Sequence, residues 1–103
     1  MQIGNNLKLL RKRKKQSQEE VAQALSLTRS TYSGYENGVA QPNLENLISF
    51  SDFYKVPIDD LVRKNFETFS EQEWEKIDKG LRIFSRSRNR KNRLGLAQNF
   101  LEA

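Results

Sequence analysis

Cysteine and histidine are both absent from these 103 residues. Without cysteine there is no disulfide and no thiolate metal site, which fits a reducing compartment. Without histidine the commonest metal ligand and the commonest general base are missing together. The opening stretch, MQIGNNLKLLRKRKK, has no apolar run of the signal-peptide kind, and no segment approaches the ~20 apolar residues that cross a bilayer. Asp59 and Asp60 are neighbours on an expected helix, so their carboxylates diverge instead of pairing for acid–base work. The expectation is a soluble, cytoplasmic chain that is not an enzyme and takes no cofactor or metal.

What the sequence has is positive charge. Eighteen Lys and Arg oppose thirteen Asp and Glu, a net charge of +5. Six of the basic residues lie in 8–15, KLLRKRKK, and five in 86–93, RSRNRKNR, a run without an acid. Two separate basic clusters point to a polyanionic partner, nucleic acid first and an anionic membrane surface second; the plainer reading is two solvated faces.

Apolar residues recur with helical spacing throughout, and no alternation of period two lasts long enough for a sheet. Ile3, Leu7 and Leu10 stripe a first helix that runs to about Lys14. Ser17-Gln-Glu-Glu20 is a capping box opening a second helix, which carries Val21, Ala22 and Leu25. After the Ser26-Leu27 turn, Thr28 can cap a third helix that Asn37-Gly38 ends. Asn43 can cap a fourth, with Leu44, Leu47, Ile48 and Phe53 expected inside. Pro57 starts a short fifth helix, Ile58 to Val62. The fold class is therefore all-α, with five helices on one core in residues 1–64 and a helical extension in residues 65–103.

In the extension, Ser70 and Glu73 form a second capping box, with Phe69 and Trp74 placed as its hydrophobic staple. Trp74, Ile77, Leu81 and Phe84 follow at coiled-coil spacing. This seam has three readings: a homodimer interface, which is preferred, a cover for the chain's own core, or a surface for a partner protein.

The third helix poses a question of its own. At 100° per residue, Thr28, Tyr32, Tyr35 and Glu36 share one side, and Ser30, Ser33, Gly34 and Asn37 lie opposite, flanked by Arg29. An exposed face usually carries long charged side chains; this one is small and uncharged, and a glycine there costs ~1 kcal/mol relative to alanine. Such a face lets a helix approach a surface closely, and hydroxyl, amide and guanidinium groups reach base edges in a DNA major groove. A second helix joined to it by a short turn is helix-turn-helix spacing.

Taken in order, the LR of the first helix, SQEEVA, TRSTYSGYENG, QPNLENL and IDDL resemble the phage Cro and repressor-type (XRE-like) helix-turn-helix family over residues 3–62. The resemblance implies a five-helix repressor-like domain and a regulator, a repressor by preference, that binds double-stranded DNA as a homodimer on a palindromic operator. It implies base reading by Arg29, Ser30 and Gly34, with Thr31 and Ser33 beside them. Phosphate contact falls to Gln18 and to Asn37 and Gly38 of the YENG turn, with Thr28 at the helix start. Arg11 and Glu36 match the family's structural ion pair. The sequence departs from the family at Gly34, where a long polar side chain is usual. An antitoxin-like protein, holding a partner through its C-terminal helices, is the alternative.

Overall fold

Ile3, Leu7 and Leu10 do meet on one face of α1 (Ile3–Arg13), and all three are buried. The computed structural model describes residues 3–80. Among these residues α1 is followed by α2 (Gln18–Ala24), α3 (Arg29–Asn37), α4 (Leu44–Tyr54), α5 (Ile58–Arg63), a 3₁₀ turn (Phe66–Thr68) and α6 (Glu71–Asp78). No strand interrupts them, so the described residues are all-helical.

Local chemistry sets the helix starts. Ser17 Oγ accepts from the Glu20 N–H at 3.0 Å, and the Glu20 carboxylate accepts from the Ser17 N–H at 2.8 Å. Thr28, Asn43 and Ser70 cap α3, α4 and α6 in the same way through the N–H three residues on. Each satisfies a backbone donor that the helix leaves free. Gly38, at φ +78, ends α3 in the left-handed conformation that glycine adopts without a Cβ penalty.

α1 lies against the end of α3. A Cβ on Gly4 would stand 2.6 Å from the Tyr35 carbonyl oxygen and 2.8 Å from that of Glu36. Only a residue without a side chain permits that approach. Further along α1, Asn6 is fully buried and fully used. Its amide donates to the Leu61 and Lys64 carbonyls, both at 2.8 Å, and its side-chain oxygen accepts from the Phe66 N–H at 3.1 Å. One side chain thus ties α1 to the end of α5 and to the 3₁₀ turn.

Two expectations change here. Leu44 and Ile48, expected inside, are 67% and 45% exposed, and α4 turns Phe50 and Tyr54 into the core instead. The C-terminal seam is also divided. Ile77 joins the same core as Leu7 and Leu10, and Trp74 packs edge-on against Phe66 at 5.8 Å and against Phe69 at 5.9 Å. These two residues cover the chain's own core because α6 is folded back onto α1. Arg13 of α1 fixes that position: it pairs with Asp78 at 2.8 Å and Glu71 at 2.9 Å and lies over the Trp74 ring. Leu81 and Phe84, the basic run 86–93 and the last apolar patch lie outside the described residues.

Candidate nucleic-acid interface

Helix α3 is held from one side. Tyr32 and Tyr35 both pack on Phe50 of α4, with ring centroids 5.8 and 6.0 Å apart, and the Tyr35 hydroxyl accepts from the Asn46 amide at 2.8 Å. Glu36, on the same side, is the hub of a polar cluster. Arg11 grips its carboxylate with two donors, Nε to Oε2 at 2.7 Å and Nη2 to Oε1 at 3.1 Å. A third Arg11 donor reaches the Gln16 carbonyl. The Gln18 amide of α2 donates to Oε1 at 3.0 Å. One carboxylate therefore joins α1, α2 and α3.

Burial alone would push the Glu36 carboxyl up. Polar neighbours, the Arg11 hydrogen bond first, then the nearby Tyr32 hydroxyl, the Gln18 amide and the Arg11 charge, outweigh it and hold the group below its ordinary value, so it stays ionised. The same pairing pushes Arg11 up, through the Glu36 hydrogen bond, against its own burial. The hydroxyls of Tyr32 and Tyr54 lie buried next to this cluster, and among the described residues neither finds a hydrogen-bond partner of good geometry. Burial pushes Tyr54 up to about 12 and Tyr32 further in the same direction.

The opposite side of α3 is open. Arg29, Ser30 and Thr31 are exposed, Ser33 and Gly34 half-buried, and Asn37 and Gly38 exposed. Arg29, Ser30 and Ser33 line a shallow open depression. A Cβ added at Gly34 would meet nothing within 4 Å, so this glycine leaves free space where Gly4 fills a contact. The polar groups here bond locally: the Thr28 hydroxyl donates to that of Thr31 at 2.9 Å, and the Asn37 amide donates to Ser33 at 3.3 Å. The guanidinium of Arg29, by contrast, stands in solvent at the first position of the helix.

The turn between α2 and α3 is tight. The Leu27 N–H donates to the Ala22 carbonyl at 2.8 Å, and Ser26 takes a left-handed φ of +58 to make the bend. Gln18 stands at the start of α2, and its side-chain amide donates one hydrogen bond to Glu36. Glu19 and Glu20 share that first turn. Arg11, Gln18 and Glu36 are thus brought together, while Arg29 to Gly34 form a separate surface. Sequence reasoning missed Asn6, Gly4 and the Arg13 contacts. A polar residue in an apolar stripe and a glycine within a helix were the signals available for the first two.

The sequence model of the helix-turn-helix family matches residues 7–61. Among curated proteins the chain is similar to the uncharacterised HTH-type transcriptional regulator YqaE of Bacillus subtilis (strain 168). The identity is 38% over 61 residues, which is 59% of this chain and 53% of that protein. It is 37% identical over 62 residues to the HTH-type transcriptional activator BcrR of Enterococcus faecalis, covering 60% of this chain and 30% of that one. It is 34% identical over 75 residues to the cryptic phage CTXphi transcriptional repressor RstR of Vibrio cholerae, covering 73% and 68%. The chain therefore spans about half of YqaE and under a third of BcrR. No solved structure matches it.

Proposed function

This chain belongs to the helix-turn-helix family, and from that premise we propose that it is a sequence-specific, double-stranded DNA-binding repressor that occupies a palindromic operator as a homodimer. The observation that carries the reading is the outward face of α3. Arg29 projects at its start, Ser30, Ser33 and Gly34 keep the surface low, and the buried face is anchored so that the helix enters a groove as a rigid body.

In that groove Arg29 is the residue able to make a bidentate contact, most often to guanine O6 and N7. Ser30, Thr31 and Ser33 supply short-range hydroxyl and methyl contacts, and Gly34 supplies close approach. Thr28, Asn37, Gly38 and the start of α2 at Gln18 meet the phosphates that flank the groove. Such contacts fix register, while base edges and DNA shape carry sequence preference. Two half-sites about 34 Å apart make up for the few bases one module reads. Repression, the finer part of the reading, is supported by RstR, which is similar over most of its length.

Selection from random duplex DNA tests the proposal. The expected result is an enriched motif of two inverted half-sites with a guanine at a fixed position in each. A pool that stays unenriched contradicts it.

A further inference from the structure

Asn37 is the one asparagine of the chain that a glycine follows. The pair closes α3, with Asn37 as its last helical residue and Gly38 as its cap. Both residues are exposed, and a Cβ built on Gly38 would meet nothing within 4 Å. Their polar groups are loosely held. The Asn37 side-chain amide donates to Ser33 at 3.3 Å, and the Gly38 N–H donates to the Tyr35 carbonyl at 3.4 Å. Both exceed the usual range of about 2.7–3.2 Å. The Gly34 carbonyl, which the same N–H faces, already accepts from Val39 and Ala40 at 2.9 and 3.2 Å.

Helix ends fray in their last turn, and opening this one releases Asn37 from its helical backbone angle. A backbone nitrogen attacks the side chain of a preceding asparagine most readily when it belongs to glycine, because no Cβ stands in the way. The other asparagines lack that neighbour. Asn6, for instance, precedes Leu7, is fully buried and spends its side chain on three hydrogen bonds.

We propose that Asn37 is a site of spontaneous modification, where deamidation puts a carboxylate on the DNA-facing end of α3 and weakens DNA binding. The Gly38 nitrogen gives up its proton and bonds to the side-chain carbonyl carbon of Asn37. The bond from that carbon to Nδ2 breaks, and ammonia leaves with the proton. Water then adds to one carbonyl of the five-membered ring, and the ring opens at that carbon–nitrogen bond. Opening on the side-chain carbon gives aspartate; opening on the main-chain carbon gives isoaspartate. One water is consumed and one ammonia released, with no oxidant or reductant.

The effect on binding rests on the reading of α3 as the DNA-entering helix, in which Asn37 meets a phosphate. There the new carboxylate faces charge of its own sign and has lost the amide donor. It also stands at the C-terminal end of a helix, where negative charge is disfavoured. Unit charges about 4 Å apart in water repel by enough to lower affinity about fivefold. The loss falls on every sequence alike, since phosphates carry no sequence information. Older copies therefore release DNA, and occupancy depends on continued synthesis.

The test ages the full-length wild type at mildly alkaline pH and separates the more acidic fraction by ion exchange. Peptide mass spectrometry should place the conversion at Asn37, ahead of every other asparagine, with ammonia released in step. The converted fraction should bind both the duplex that the fresh protein selects and an unrelated one about fivefold more weakly. Its salt slope should be lower by about one, with the preferred motif unchanged. Asn37→Gln should keep whatever affinity it starts with through the same ageing. Because isoaspartate also alters the backbone, Asn37→Asp, measured below its melting temperature, reads the charge alone and should show the same loss. Faster conversion at another asparagine overturns the proposal, as does a converted fraction or an Asn37→Asp variant that binds like the fresh protein. A fresh wild type that selects no sequence defeats the DNA reading, and the claimed effect on binding with it, while the mass spectrum still decides the chemistry.

Discussion

On one side of α3, Tyr32, Tyr35 and Glu36 are buried and joined to α1, α2 and α4; on the other, Arg29, Ser30 and Ser33 line an open depression beside a glycine with free space above it. Nine residues thus present two unlike sides. The inner side is long, aromatic and charged, because it must fill space and pair every buried polar group it can. The outer side is short, and in the proposed reading that lets the helix approach DNA closely. The division implies that stability and recognition separate by side, and substitutions can be chosen to break that separation.

Arg11→Ala is the strongest challenge from the inner side. It leaves the Glu36 carboxylate, whose side chain is 1% exposed, without its bidentate partner. Removing one member of a buried pair costs ~3–5 kcal/mol, so the variant should melt far below the wild type. An unchanged Tm with lost DNA binding would move Arg11 to the recognition side.

Asn6→Ala should come next. Two carbonyls and one N–H lose their partner, and at ~1 kcal/mol or more for each unsatisfied buried group the loss is about 3 kcal/mol. Denaturant unfolding checks it, and the sequence preference of the folded fraction should be untouched.

A smaller effect is expected from pH. Glu36 titrates below its ordinary value in the folded chain. As pH falls, the unfolded chain takes up the proton first. The contribution of this pair is therefore complete above the unfolded carboxyl's pKa of about 4.5 and declines as pH drops through the folded value. Asp78, held down by Arg13, loses its contribution in the same direction. Melting temperature followed from neutral to acid pH should fall less steeply for Glu36→Gln than for the wild type. An identical slope would remove Glu36 from the account of stability.

The same division explains what the sequence made legible. Caps at Ser17, Thr28 and Asn43, the bounds of α3 and its two faces follow from interactions spanning three or four residues, which leave a local pattern. The pairing of Arg11 with Glu36 came from resemblance, since no periodicity joins positions in different helices. Asn6 reaches partners more than fifty residues away, and Arg13 reaches Asp78 across a similar distance. Neither contact has a local signature. α4 misled for another reason: with Leu44, Leu47, Ile48, Phe50, Phe53 and Tyr54 it is apolar nearly all round, so periodicity could not choose the buried side. The coiled-coil spacing of Trp74 and Ile77 was real, but spacing names a face and not what covers it.

The outer side of α3 gives the most direct test of the central claim. Arg29→Ala should leave the melting temperature unchanged, because the residue is exposed and, among the described residues, its guanidinium makes no hydrogen bond or ion pair. It should weaken operator binding by ~1–3 kcal/mol and relax base preference at one position in each half-site. The measurement is a paired one: thermal melting and a random-duplex selection on the same variant. An unaltered Tm with a flattened motif position is the expected result; a motif identical to the wild type's, or a large drop in Tm, would contradict the claim that this face reads DNA and does not hold the fold together.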